Sequence, residues 1–198
     1  MIFFKETAIG KIGIEEKDGF ISKLVFENDI KKTGKKRIDC MEYMNLDEKE
    51  ASPLLLEAFS QLDEYLSRER TVFDLPLAPK GTTFFEKVWA ALSKIPYGQT
   101  ATYKEIAAAV GNPNAGRAVG MANNKNPISI FIPCHRVIGS RGELVGYAGG
   151  TDLKQKLLML ENKDRREKEK GKQGEKQGKK EEGKQGEKEE GKQGGGKC

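Results

Sequence analysis

The sequence predicts an α+β fold, because residues 1–80 carry short β-prone runs before a helix and residues 81–162 carry helices with clear capping signals. Residues 163–198 differ in composition. They consist of Lys, Arg, Asp, Glu, Gly and Gln, apart from the final Cys198. We therefore predict an N-terminal domain at 1–80, a C-terminal domain at 81–162 and a disordered low-complexity tail at 163–198.

The β-prone runs of the first domain are separated by turn signals that contain glycine. These runs are Ile2–Ile9, Ile12–Glu16 and Phe20–Phe26. Asp18-Gly19, between the last two runs, is typical of a β-hairpin turn. Ser52-Pro53 predicts the start of a helix, since proline is favoured at the first helical position. The apolar stripe of this helix is predicted to be Leu55, Phe59, Leu62 and Leu66.

Two further segments are predicted to be loops. Leu75–Gly81 contains prolines and a glycine. The net charge changes sign there: residues 1–80 carry 13 basic and 16 acidic side chains, and residues 81–162 carry 9 basic and 5 acidic ones. Lys31–Arg37 is a basic loop that we interpret as solvated.

The second domain is predicted to begin with three helices. Thr83–Glu86 and Thr102–Glu105 both have the capping-box pattern, in which a hydroxyl residue is followed three residues later by glutamate. The first helix is expected to end near Lys94 and the second near Val110. A third helix follows at Ala115–Asn123 after a short turn with glycine and proline, which predicts a helix-turn-helix.

The third helix combines small side chains with one long cation. Its small residues are Ala115, Gly116, Ala118, Gly120 and Ala122. Such a helix can pack closely against another helix, with Arg117 in solvent. It can also approach a nucleic acid, with Arg117 as a probe. Periodicity alone leaves both interpretations open.

Several classes of protein are excluded by composition. No run approaches the ~20 apolar residues of a membrane-spanning helix, and residues 1–6 lack the basic and apolar regions of a signal peptide. Cys40, Cys134 and Cys198 lie far apart, and the chain has one histidine, so neither a disulfide framework nor a zinc site is expected. We expect a soluble, intracellular protein with reduced thiols.

The segment Asn126–Val137 is the candidate for chemistry. It places Cys134 between a proline and His135, the single histidine of the chain. A thiolate is the nucleophilic form of cysteine, and we expect the adjacent imidazole and nearby cations to lower the pKa of this thiol. The alternative is a buried, inert cysteine. Whether His135 reaches the sulfur directly or through a water does not follow from the sequence.

Pro133-Cys134-His135-Arg136-Val137 resembles the active-site signature of the O6-alkylguanine-DNA alkyltransferases, also called methylated-DNA–protein-cysteine methyltransferases. The resemblance covers roughly residues 1–162 and is strongest from 81 to 162. It includes Arg117–Gly120 and Asn126 before the signature. It also includes Gly146–Gly150 and a helix that ends Leu157–Glu161 after it.

The resemblance implies a DNA-repair protein that flips O6-alkylguanine, and also O4-alkylthymine, out of double-stranded DNA and transfers the alkyl group once to its own cysteine. It implies a ribonuclease-H-like N-terminal lobe, a C-terminal lobe with a winged-helix-like helix-turn-helix, and a monomer in the cytoplasm, at the nucleoid, or in a eukaryotic nucleus. No cofactor, metal or membrane is implied, and the zinc site of animal members has no counterpart in residues 1–80. The alternative is a non-catalytic helix-turn-helix sensor of alkylated DNA.

The resemblance also implies roles for single residues. Cys134 corresponds to the alkyl acceptor, His135 to the base that takes the thiol proton through a water, and Glu161 to the carboxylate that orients this histidine. Asn126 corresponds to the residue that ties the active-site turn together, and Tyr103 to the phenol that donates toward the leaving guanine.

Two further groups of residues are implied by the same resemblance. Arg117 corresponds to the finger that enters the base stack in place of the flipped nucleotide. The other predicted DNA contacts are Thr102, Ala118, Gly120 and Arg136. The predicted wall of the substrate pocket consists of Val137, Tyr147, Ala148 and Gly149.

Overall fold

Three antiparallel strands form the N-terminal sheet of the computed structural model, which describes residues 1–26 and 48–162. The strands are β1 (Ile2–Thr7), β2 (Gly10–Lys17) and β3 (Phe20–Phe26), in the order β1-β2-β3. The predicted hairpin turn is confirmed, because Asp18 and Gly19 have φ values of 54° and 78°, and a two-residue hairpin turn of type I′ requires a positive φ at both positions. The predicted basic loop and the predicted tail lie outside the described residues.

Helix α1 (Pro53–Ser67) packs on this sheet. It begins as predicted, because the Ser52 hydroxyl accepts a hydrogen bond from the Leu55 amide at 3.1 Å and caps the first turn. Of the predicted stripe, Leu55, Phe59 and Leu62 are buried and Leu66 is half-buried. The buried face of the helix also includes Tyr65.

The segment predicted as a loop at Leu75–Gly81 has no helix, but it is bonded to the sheet. The Ile21 amide donates to the Pro76 carbonyl at 2.8 Å, and the Ala78 amide donates to the Ile21 carbonyl at 3.0 Å. This pairing satisfies groups on the outer edge of β3, which would otherwise be unpaired. Residues 1–161 form one compact unit, and the boundary at residue 80 stays a prediction.

The C-terminal half contains helices α2 (Thr83–Leu92), α3 (Tyr103–Ala109) and α4 (Gly116–Asn124). The capping box of α3 at Thr102 is confirmed. The capping box predicted at Thr83 is wrong by one residue. Thr82 is the N-cap of α2 and accepts from the Phe85 amide at 3.3 Å, while the Glu86 carboxylate accepts from the Gly81 amide at 3.1 Å. The register differs because Thr82, not Thr83, is the last extended residue before the helix.

One face of α4 is packed and the other is open. Val119 and Ala122 are fully buried, and the Trp89 indole donates to the Ala122 carbonyl at 2.8 Å. Arg117 and Ala118 are exposed on the opposite side. Close packing is therefore confirmed for one face, and the approach of the other face to a nucleic acid stays a prediction.

The remaining elements surround the segment that carries Cys134. Strands β4 (Ala101–Thr102) and β5 (Val137–Ile138) pair in parallel, and a short 3₁₀ helix spans Cys134–Arg136. Helix α5 (Thr151–Glu161) closes the described part. The arrangement of helices and small sheets agrees with the predicted mixture of α and β structure. None of the helices in residues 1–26 and 48–162 is long and apolar enough to cross a membrane.

Candidate active site

The turn before Cys134 is held by Asn126. Its side-chain amide donates to the Ile132 carbonyl at 2.8 Å, and its carbonyl oxygen accepts from the Ile128 amide at 3.0 Å. The Leu24 amide of β3 donates to the Pro127 carbonyl at 2.8 Å. The turn is thus fixed both internally and by the N-terminal sheet, and the buried position of Asn126 agrees with its predicted role.

Backbone strain is present within this turn. Ile130 has a φ of 76° and is fully buried. Left-handed backbone costs a β-branched residue about 1–2 kcal/mol, so it persists only where the surroundings impose it. The hydrogen bonds of Asn126 and the sheet contact at Pro127 provide this constraint.

Cys134 is almost completely buried, with 1% of its surface exposed. Its sulfur lies 3.8 Å from the Ser129 hydroxyl, and its backbone carbonyl accepts from the Asn123 side chain at 3.2 Å. Burial raises the pKa of the Cys134 thiol, and the nearby Asn126 and Ser129 side chains and the charge of Lys154 lower it only in part. The expected lowering of this pKa is therefore wrong for the free protein, because desolvation dominates.

His135 is fully buried and is held by a carboxylate. Its Nε2 lies 2.8 Å from Glu161 Oε1. Burial lowers the pKa of His135, and the carboxylate opposes this shift. In the neutral ring, Nε2 carries the proton and donates to Glu161, which assigns Nδ1 as the acceptor nitrogen. No hydrogen-bond partner of Nδ1 lies within the described residues.

Glu161 is the centre of a buried group of polar contacts, with 3% of its surface exposed. Arg136 donates to it from Nε, at 3.2 and 3.0 Å, and from Nη2, at 2.9 Å. The Gly98 amide donates to Oε2 at 3.1 Å. Burial alone would raise the pKa of Glu161, but the hydrogen bonds from His135 and Arg136 lower it to about 2. The carboxylate is therefore ionised throughout the physiological range.

Arg136, predicted as a DNA contact, is placed differently by the structure. Only 6% of its surface is exposed, and Nη1 donates to the Ile95 carbonyl at 2.6 Å in addition to the bonds with Glu161. A buried carboxylate requires a paired cation, and Arg136 is that cation. The assignment to DNA binding is corrected accordingly.

Tyr65 is a site residue that the sequence did not indicate. Its hydroxyl donates to Glu161 Oε1 at 2.7 Å and lies 3.3 Å from His135 Nε2. Burial and the negative charge of Glu161 raise the pKa of Tyr65. At the sequence level it is one more aromatic residue on the buried face of α1, and no local signal distinguishes it from the core.

Tyr103 and Lys154 meet at one backbone carbonyl. The Tyr103 hydroxyl donates to the Val145 carbonyl at 3.1 Å, and Lys154 Nζ donates to the same oxygen at 3.0 Å. Burial lowers the pKa of Lys154, and the Cys134 thiolate raises it. Lys154 is missing from the sequence-based assignment because it lies between charged and polar residues typical of a solvated helix face.

The predicted pocket wall is brought close to His135. Val137 is fully buried in β5, and the Tyr147 ring centre lies 6.4 Å from that of His135 in an edge-to-face arrangement. Ala148 and Gly149 are half-buried. A Cβ atom on Gly149 would lie 2.5 Å from a Leu153 methyl group and 3.3 Å from the Tyr147 ring, so a larger residue would require the Leu153 side chain to move.

The other predicted DNA contacts lie on or beside α4. Arg117 and Ala118 are exposed, and Gly120 and Thr102 are half-buried. Thr102 is also the N-cap of α3. Met121 is exposed one helical turn after Arg117 and shares its face. Met121 is not among the predicted contacts, because the prediction for this helix rested on its small residues and its cation.

Fold and site together define a protein that holds a buried cysteine beside a carboxylate-bound histidine, close to a short helix pair with an exposed arginine. Residues 83–163 match the family model described as the DNA-binding domain of 6-O-methylguanine DNA methyltransferase. The methylated-DNA–protein-cysteine methyltransferase of Methanosarcina barkeri (strain Fusaro / DSM 804) is 55% identical over 133 residues, which cover 67% of this chain and 82% of the relative. The constitutive one of Bacillus subtilis (strain 168) is 45% identical over 164 residues, which cover 82% and 96%.

Solved structures agree with these relatives. The Mycobacterium tuberculosis O6-methylguanine methyltransferase is 37% identical with a TM-score of 0.69, over 81% of this chain and 92% of that one. The structure of Mycobacterium tuberculosis OGT in complex with DNA is 38% identical with the same TM-score and coverage. The chain therefore belongs to the methylated-DNA–protein-cysteine methyltransferase family, which confirms the resemblance noted from the sequence.

Proposed function

We propose that the protein repairs DNA by transferring the alkyl group of O6-alkylguanine to Cys134 in a single turnover. The observation that carries this proposal is the buried group of Cys134, His135 and Glu161, in which the histidine is bound through Nε2 and presents Nδ1 as an acceptor. Homologues that carry the methyltransferase name support the same reaction. We extend the proposal to O4-alkylthymine as a second substrate.

The proton of the thiol is the first obstacle, since burial keeps Cys134 protonated in the free protein. His135 Nδ1 accepts this proton through a water, and the ionised Glu161 stabilises the resulting imidazolium. The thiolate sulfur then bonds to the alkyl carbon while the bond from that carbon to O6 breaks. The electron pair leaves with the guanine, and the thioether is not hydrolysed, so each molecule reacts once.

Tyr103 is proposed to donate a proton or hydrogen bond to the leaving guanine. Its hydroxyl is bonded to the Val145 carbonyl in the free protein, so this role requires an exchange of acceptor when the substrate enters. Asn126 maintains the turn that presents the sulfur. The substrate base is proposed to lie against the pocket wall of Val137, Tyr147, Ala148 and Gly149.

Double-stranded DNA is the proposed partner, bound through α3 and α4 as a helix-turn-helix. The exposed face of α4, with Arg117 and Ala118, supports this, as does the OGT structure solved with DNA. The reactive atom of a stacked base is hidden, so the nucleotide must be flipped into the pocket. Arg117 then fills the gap in the base stack, and Thr102 and Gly120 lie close to the DNA backbone.

Several finer features belong to the same proposal. We assign the N-terminal half to a ribonuclease-H-like lobe and the helical half to a winged-helix-like lobe, with the boundary at residue 80. The protein is proposed to act as a monomer, in the cytoplasm at the nucleoid or in a nucleus, where its DNA substrate is found. No cofactor takes part in the proposed steps, since the thiol itself is the reagent.

The test is incubation with a duplex that contains O6-methylguanine, followed by mass spectrometry of the peptides. A gain of one CH2, about 14 Da, on the peptide with Cys134 is expected, in an amount that saturates at one per protein molecule. A duplex with unmodified guanine is the control. Binding to the lesion without a mass gain would instead support the alternative, a non-catalytic helix-turn-helix sensor of alkylated DNA.

A further inference from the structure

We infer that Tyr65 is a positioning residue for the proposed alkyl transfer: its hydroxyl fixes the Glu161 carboxylate against His135, and the N-terminal half thereby takes part in the active site. This inference rests on the proposed function for its chemical consequence. The contact itself is independent of that function, because it joins three buried side chains in the free protein.

The geometry around Glu161 Oε1 carries the inference. This single oxygen accepts from the Tyr65 hydroxyl at 2.7 Å and from His135 Nε2 at 2.8 Å. Tyr65 is fully buried, and its ring is packed against Phe73 and Tyr97 at centroid distances of 5.1 and 6.0 Å. Because these contacts already order the ring, the Tyr65 hydroxyl is directed at the carboxylate in the free protein.

A donor from outside the guanidinium is needed at Oε1 because Arg136 competes with His135 for this oxygen. Arg136 donates to Oε1 from Nε and Nη2 and to Oε2 from Nε, and such a bidentate pair holds a carboxylate in the plane of the guanidinium. Tyr65 is the donor that keeps Oε1 next to the imidazole, and it thereby supports the bond from His135 Nε2.

The position of Tyr65 in the chain makes the contact informative. The matched family model begins at residue 83, whereas Tyr65 lies on α1, which is capped by Ser52 and packed on the N-terminal sheet. The contact links that sheet and helix to the reacting group. A purely structural alternative is that Glu161 merely satisfies a buried hydroxyl, and the two explanations differ in what happens to His135 when the hydroxyl is removed.

The experiment compares Tyr65→Phe with a matched control, Tyr97→Phe. Tyr97 packs edge-on against Tyr65, but its hydroxyl donates to the Leu160 backbone carbonyl at 3.3 Å. Because the chain has one histidine, the ring signals in a histidine NMR spectrum belong to His135. The other charged or titratable groups near the ring are unchanged in both variants; they are Cys134, Arg136, Tyr147, Lys154 and Glu161.

Removal of the Tyr65 hydroxyl leaves Oε1 to the guanidinium of Arg136, so its bond to His135 Nε2 weakens. In Tyr65→Phe we expect the Nε2 proton to move upfield and the pKa of His135 to fall, because the hydrogen bond with Glu161 raises that pKa. The Tyr97→Phe spectrum should resemble the wild type. With a free O6-alkylguanine base as substrate, the single-turnover rate of Tyr65→Phe should fall about tenfold at its plateau, because Nδ1 becomes a weaker base, and the acid limb of its pH profile should move to lower pH.

The outcomes separate the two explanations. A loss of stability or rate without a change in the His135 signals and in the pH profile would overturn the inference, because Tyr65 would then only fill the core. An unchanged rate would overturn it as well. If the Nε2 proton moves as expected and even the wild type transfers no alkyl group, the contact stands and the proposed function alone is refuted.

Discussion

The buried group around Glu161 and the exposed face of α4 are organised in opposite ways. The side chains that donate to the Glu161 carboxylate, those of Tyr65, His135 and Arg136, are buried and hydrogen-bonded in the free protein. Arg117 and Met121 on α4 are exposed to solvent. Groups that stabilise a charge must be in place before it forms, whereas groups that replace a flipped base meet their partner only on binding. The two regions therefore differ in whether their polar groups already have partners in the free protein.

The largest effect is expected at the sulfur itself. Cys134→Ala should abolish alkyl transfer, since the proposed acceptor sulfur is removed, and should leave the affinity for DNA unchanged, since the exposed face of α4 is intact. The measurements are single-turnover transfer and binding to duplex DNA. Cys40→Ala and Cys198→Ala are the controls and should react like the wild type. Residual transfer in Cys134→Ala would contradict the assignment of the acceptor.

The buried ion pair should determine acid stability. The pKa of Glu161 falls from an ordinary 4.5 to about 2 in the folded protein, so the ionised carboxylate stabilises the fold above about pH 4.5, and this contribution is lost as the pH falls toward 2. Its size is about 3 kcal/mol. Glu161→Gln should lower the free energy of unfolding at neutral pH by a similar amount, because Arg136 is left buried without its anion.

Urea unfolding at several pH values tests this prediction. The wild type should lose stability between pH 4.5 and 2, and Glu161→Gln should show a flatter dependence over that interval. Glu143→Gln is the control, since the Glu143 carboxylate pairs with a highly exposed Arg141 and solvent screens the pair. Equal effects of the two substitutions would show that burial of Glu161 does not set its contribution.

Arg117→Ala should affect the exposed face without affecting the reacting group. Flipping a base costs a few kcal/mol, and Arg117 is proposed to offset part of this cost by filling the gap in the stack. Losing that contribution should slow repair of duplex DNA by roughly ten- to hundredfold. A free O6-alkylguanine base needs no flipping and should react at the wild-type rate. Lys156→Ala, at an exposed lysine of α5, is the control. Equal losses on both substrates would mean that Arg117 supports the pocket.

The sequence predicted the parts of the fold that local signals determine. The Asp18-Gly19 turn, the Ser52 cap and the Thr102 capping box each depend on a few neighbouring residues, and the structure confirms all three. The pairing of β3 with Leu77 and Ile128 depends on segments more than 50 residues apart in sequence. No local pattern contains that information.

The same limit explains the errors within the site. Cys134 and His135 were indicated by their proximity in sequence, and Glu161 by its distance from them in the family pattern. Arg136 was assigned to DNA through the family resemblance, which does not show where its side chain lies. Only the burial of Glu161, which the structure shows, identifies Arg136 as the counter-ion of this carboxylate. Tyr65 lies in the N-terminal half of the chain, far in sequence from the Glu161 carboxylate that it contacts. Nothing in the sequence distinguishes its hydroxyl from that of a core tyrosine.

The smallest expected effect concerns Ser129, whose hydroxyl lies 3.8 Å from the Cys134 sulfur in a buried position. Once the thiol loses its proton, only the hydroxyl can donate, so this contact stabilises the thiolate and lowers the pKa of Cys134. A contact this long contributes less than an ideal hydrogen bond to a charge. Ser129→Ala should therefore move thiolate formation to higher pH and slow the reaction at neutral pH about threefold. Ultraviolet absorbance of the thiolate, measured against pH, tests this directly. Ser129→Thr keeps the hydroxyl and should restore the wild-type midpoint; if it behaves like Ser129→Ala, packing around the sulfur sets the pKa of the thiol and the hydroxyl does not.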